Sequence, residues 1–140
     1  FPLQPHDVIT VRVDFAAGVI TCFRNSTLLG TLFQSPVSDP DFLSRLGPLV
    51  PAAALLSEGS QISIQNRPVM IRPEAYLSDL RWDPHQAGRD LVLSAEGLTV
   101  TKSVNEAGDY ATVLGSMGLS SGSHSWSIHV NHVEDSNLFV

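Results

Sequence analysis

The chain is poor in cysteine, in basic residues and in long apolar runs. Cys22 is the single cysteine. No internal disulfide can form, which fits a reducing compartment, so a cytoplasmic location is expected. Lys and Arg number 8 against 14 Asp and Glu, giving a net charge of −6 and an isoelectric point near 5.1. That balance argues against a broad basic face for nucleic acid or anionic lipid. The apolar stretch Leu46–Ser57 (LGPLVPAAALLS) is too short to span a bilayer and carries Pro48 and Pro51, so no membrane insertion is expected. The opening FPLQPHDV has neither the basic nor the apolar region of a signal peptide, and no initiator Met precedes it. The expectation is a piece of a longer chain.

Sustained helical periodicity is also missing, and period-two alternation takes its place. With 140 residues, 43% of them hydrophobic, the chain can build one domain with a real core. In Val8–Phe15 (VITVRVDF), Ile9, Val11, Val13 and Phe15 face one way and polar residues mostly the other. Ala16-Ala17-Gly18 turns the chain into Val19–Arg24 (VITCFR), and Asn25-Ser26 turns it again into Leu28–Phe33. Gln34–Pro48 reads as a loop in which Pro36, Pro40 and Pro48 exclude a regular helix. Leu49–Leu56 reads as a strand buried on both faces, Gln61–Gln65 (QISIQ) as an alternating one, and Asn66–Trp82 as a connector. Further strands are predicted at Leu91–Ser94, Leu98–Lys102, Tyr110–Leu114 and Ser123–Val130, with another beginning at Asn137. The class is all-β, an antiparallel two-sheet β-sandwich.

Three patterns invite chemistry. Gly118–Gly122 (GLSSG) matches the G-x-S-x-G signature of hydrolase nucleophiles. That signature needs a strand before the serine and a helix after it, and here a strand follows, so Ser120 reads as part of a turn that places Trp126 in the core. The five histidines lack ligand spacing. His124 and His129 face opposite sides of one strand, and His124 and His132 lie roughly 26 Å apart, so no metal site is expected. His124 is expected beside Trp126, bonded to backbone. Asn25-Ser26-Thr27 is a formal glycosylation sequon, read here as a turn. No phosphate loop or dinucleotide fingerprint is present, and no cofactor is expected.

Four stretches together resemble the SPRY domain family. Thr112–Val130 (TVLGSMGLSSGSHSWSIHV) is similar to its V-L-G, small-residue turn and H-x-W strand. Arg81–Ser103 (RWDPHQAGRDLVLSAEGLTVTKS) resembles its opening aromatic-D-P step and L-x-L-S-x-x-G-L-T-V run. His6–Phe33 is similar to its late hairpin, with Asp7, Asp14, Gly18, Phe23, Asn25, Leu29 and Gly30 matching, and Leu49–Ile64 resembles its closing strands. The order departs from the family. Residues 1–65 resemble the C-terminal half, residues 81–140 the N-terminal half, and residues 66–80 connect them. The resemblance therefore implies either the tail of one repeat followed by the head of the next, in tandem, or a permuted SPRY (concanavalin-like) sandwich whose usual termini are joined. The middle strands of the family are missing. Leu138-Phe139-Val140 would then stand unpaired and recruit another chain, giving a homodimer by strand exchange.

The resemblance implies a non-catalytic protein-protein interaction module of an adaptor, scaffold or ubiquitin-ligase-related protein, binding a peptide or partner domain through loops. By the same resemblance the loop Lys102–Tyr110 (KSVNEAGDY) touches the partner, and it offers Lys102, Asn105, Glu106, Asp109 and Tyr110. A lectin-like carbohydrate-binding sandwich is the alternative, with Trp82 as the tryptophan outside the core motif. A serine hydrolase at Ser120 is a third.

Overall fold

The computed structural model describes residues 3–65, 80–103, 110–133 and 138–139. Alternation is the rule throughout. The elements are β1 (Val8–Asp14), β2 (Val19–Arg24), β3 (Thr27–Gln34), α1 (Phe42–Arg45), β4 (Ala52–Leu55), β5 (Gln61–Gln65), β6 (Trp82–Ala87), β7 (Leu91–Leu93), β8 (Thr99–Lys102), β9 (Ala111–Gly115), β10 (Ser123–His132) and β11 (Leu138–Phe139). They form two antiparallel sheets, one ordered β3-β2-β1-β10-β5-β8-β7 and the other β11-β4-β9-β6. The all-β sandwich expected from the sequence is the observed architecture.

Register explains the core. In the larger sheet Val11 lies opposite Trp126, Ile9 and Ile64 lie on either side of Ile128, and Ile62 lies opposite both Val130 and Val100. All face inward. The smaller sheet answers with Ala53, Leu55, Val113 and Trp82. Fully burying each large side chain contributes about 1.5–3 kcal/mol, so this two-faced layer dominates the favourable side of folding. Across β1, β10, β5 and β8, in the middle of the larger sheet, outward polar residues bond to one another: Thr10 to Ser127 at 2.7 Å, Ser63 to Thr99 at 2.8 Å and Asn131 to Ser63 at 2.6 Å.

Strands from residues 1–65 and 81–140 are mixed in both sheets. β10 lies between β1 and β5, and β4 lies between β11 and β9. Leu80, at the end of the proposed connector, is wholly buried in the core, and residues 66–79 lie outside the described residues.

Four expectations are corrected. A single helical turn, α1, fits between Pro40 and Pro48. The prolines bound it instead of forbidding it: Leu43 is buried, and Phe42 stacks on Phe33 with ring centroids 5.9 Å apart. β4 is buried on one face, through Ala53 and Leu55, while Ala52 is exposed. Trp82–Ala87, unassigned beyond Trp82 from sequence, is an edge strand whose register with β9 shifts between Trp82 and Ala87, the irregularity that accommodates Pro84. Leu138 and Phe139 are not unpaired, because they lie opposite Leu55 and Ala54 of β4 in the same chain. Val140 lies outside the described residues.

Candidate functional site

One end of the sandwich groups several polar connections. The start of β1, the β2–β3 turn, the β4–β5 turn, the β6–β7 turn and the ends of β8 and β10 all lie at this rim. Register fixes the grouping: Gln61 is opposite Thr101, Lys102 is opposite Leu91, and Leu55 is opposite Ala111. The chain between Lys102 and Tyr110 leaves and returns here.

The predicted contact residues divide. Lys102 follows Val100 by two along β8, so parity turns it inward. Its side chain is 0% exposed, and its Nζ lies 3.5 Å from Asp90 Oδ2. Its backbone is held as well: the Lys102 amide donates to the Ser60 carbonyl at 2.9 Å, and its carbonyl accepts from the Gly59 amide at 2.9 Å. Both the amide and the hydroxyl of Ser103 donate to the Asp90 carbonyl, at 2.9 and 3.0 Å. Lys102 is thus an internal anchor of the loop and does not present its ammonium at the surface. Tyr110, at the other end, is 48% exposed. Asn105, Glu106 and Asp109 lie outside the described residues. Asp90 was not singled out from sequence. Its role depends on the β7–β8 register, which no local pattern fixes.

A second anchor stands beside β1. Asp7 is buried, accepting from the Gln4 amide at 2.8 Å and from Asn25 Nδ2 at 2.8 Å, and pairing with Arg24 Nη2 at 2.5 Å. Burial pushes its carboxyl upward, but the Arg24, Gln4 and Asn25 hydrogen bonds and the Arg24 charge outweigh it, and the net displacement is below the usual carboxylate value. Asn25 and Ser26 have φ of 50° and 70°, the left-handed pair that a two-residue hairpin turn requires. The Asn25 side chain is engaged on both sides, since its Oδ1 accepts from the Val8 amide at 2.8 Å. The sequon is therefore a turn whose amide nitrogen already holds Asp7.

The remaining sequence candidates fall elsewhere. Ser120 is exposed and runs into β10, a strand, where a nucleophile elbow requires a helix. His124 bonds through Nε2 to the Ser121 carbonyl at 2.6 Å, as expected of a backbone-bonded histidine. Its ring meets the edge of Phe15, 6.5 Å between centroids. Trp126 is buried, and Trp82 is 1% exposed, so Trp82 forms no surface platform for a sugar. Among the described residues no three His, Cys, Asp or Glu side chains group to hold a metal ion, and no helix is long and apolar enough to cross a membrane.

The rim can thus hold a loop by one fixed end and offer an aromatic at the other. No family model, curated protein or solved structure matches the chain.

Proposed function

We propose that the chain is a non-catalytic protein-protein interaction module that binds a peptide segment or partner domain at this rim, as a SPRY-type sandwich within a larger cytoplasmic adaptor or scaffold. One observation carries the reading: the loop between Lys102 and Tyr110 is tied at its base through Asp90 and the β4–β5 turn, while Tyr110 remains 48% exposed. Loops on a stiff β core are a common recognition design, and an aromatic loses little conformational freedom when a partner covers it. The four motif resemblances and the sandwich architecture support the family assignment. The buried free thiol of Cys22 accords with a reducing compartment.

A peptide array probed with the wild-type chain and with Tyr110→Ala tests the reading. Peptides retained by the wild type and lost by the variant are expected. Peptides held equally by both would move the site off this rim. Retention on a glycan array would favour a lectin instead, and covalent labelling by an active-site phosphonate would restore the hydrolase reading at Ser120.

A further inference from the structure

β3 is an edge strand with an unusual surface. Leu28, Leu29 and Leu32 are 59%, 43% and 61% exposed on it. No charged residue occurs between Arg24 and Asp39. Natural edges are normally blunted by charge, proline, brevity or a bulge, and over its 8 residues β3 has only bulges. Its one irregularity is a pair of register shifts against β2. Leu28 is opposite Phe23 and Gly30 opposite Cys22, while Thr31 is opposite Thr21 and Phe33 opposite Ile20. Leu29 and Leu32 are the extra residues at the two shifts, with no opposite number on β2.

These bulges decide what can cover the edge. A regular extended peptide would lose its ladder at each of them. A second copy of the same strand would not. If it runs antiparallel about a two-fold axis between Gly30 and Thr31, Leu29 of one copy faces Leu32 of the other, and each bulge meets a bulge. Leu28 then faces Phe33, and Thr27 faces Gln34. Space allows the approach, because a Cβ built on Gly30 meets nothing within 4 Å. Charge allows it too: two chains of net charge −6 repel, and this uncharged segment lets them meet with no like charges opposed. An isologous contact of this kind is the commonest route to a closed dimer.

We infer that two copies of this chain associate through β3, pairing Leu29 with Leu32 of the second copy across a two-fold axis and joining the two seven-stranded sheets into one. The inference is independent of the rim reading.

Sedimentation of the wild type across a concentration series tests it, beside Leu29→Lys/Leu32→Lys and Val92→Lys. Val92 is 57% exposed on β7, at the opposite edge of the same sheet. The wild type and the Val92 variant are expected to dimerise, and the double-lysine variant to dissociate at least about 100-fold more readily. A second variant, Leu29→Cys/Leu32→Cys made together with Cys22→Ser because Cys22 lies opposite Gly30 beside position 29, keeps the question answerable if the lysines disturb folding. Three residues apart on an extended strand, its two thiols are about 10 Å from each other, too far for a bond within one chain. Oxidation should therefore give a covalent dimer. A wild type that stays at 15.1 kDa up to about 100 μM overturns the inference. So does a dimer that survives the lysine pair, or a cysteine pair that never cross-links.

Discussion

Replacing Asp7 should be the most informative single change to stability. Asp7→Ala removes the acceptor of three donors, the Gln4 amide, Asn25 Nδ2 and Arg24 Nη2. It also removes the Asp7 carboxylate from Arg24, whose side chain is 22% exposed. Breaking a buried pair from one side costs about 3–5 kcal/mol, and the residual access of Arg24 to water puts the expected loss near the lower end, about 3 kcal/mol. Asp7→Asn keeps the shape and an acceptor for Gln4 but loses the charge, for a loss of about 2 kcal/mol. With a urea slope of about 2 kcal/mol per molar, the Ala variant should shift the unfolding midpoint by about 1.5 M, read through the fluorescence of the buried Trp82 and Trp126. The pH dependence adds a second signature. The folded carboxyl titrates below its ordinary value of 3.8. The stability it supplies is complete above that value and is lost as the pH falls through the lower, folded one. Asp7→Asn should flatten that acid limb. A loss below about 1 kcal/mol in Asp7→Ala, or an unchanged acid limb in Asp7→Asn, would refute the assignment of Asp7 as the pin of the first hairpin.

Gly18→Ala should cost at least about 2 kcal/mol by thermal melting, because Gly18 sits at φ +65° and an added Cβ would lie 2.5 Å from Ser35 Oγ. Lys102→Ala should destabilise by about 2 kcal/mol while Tyr110→Ala changes stability by less than about 1, a contrast in urea midpoints that separates an internal anchor from a presented side chain. Burial raises the Cys22 thiol above its ordinary 9.0, against a weaker lowering from the Phe23 backbone. A maleimide or disulfide reagent at neutral pH should therefore label it slowly in the native protein and rapidly in urea; equal rates would contradict its burial.

The strands were legible because each carries its own period. Val8–Asp14, Val19–Arg24 and Gln61–Gln65 fall where alternation put them, and the Asn25-Ser26 turn adopts the backbone its residue types favour. Trp82–Ala87 escaped notice because WDPHQA has proline and little apolar content, and its pairing comes from β9 rather than from propensity. The single turn of α1 was hidden by reading three prolines as a block when they leave room between the second and third. The candidate site was less legible. The alternation of Leu98, Val100 and Lys102 already aims Lys102 inward, yet the lysine reads as a surface charge when its type is weighed before its parity. Asp90 could not be found, since the contact depends on which strands lie side by side.

The pairing of β1 with β10 has a consequence for synthesis. Val11 and Trp126 lie opposite each other, and Val8 faces His129. The middle of the larger sheet thus joins two strands, β1 and β10, that lie far apart in sequence. A ribosome must release everything from β1 through β10 before that seam can close. Until then the hairpins of the first third wait with their inner faces wet. Chaperone dependence, and sensitivity to the speed of translation, should follow from where this seam falls in the order of the chain.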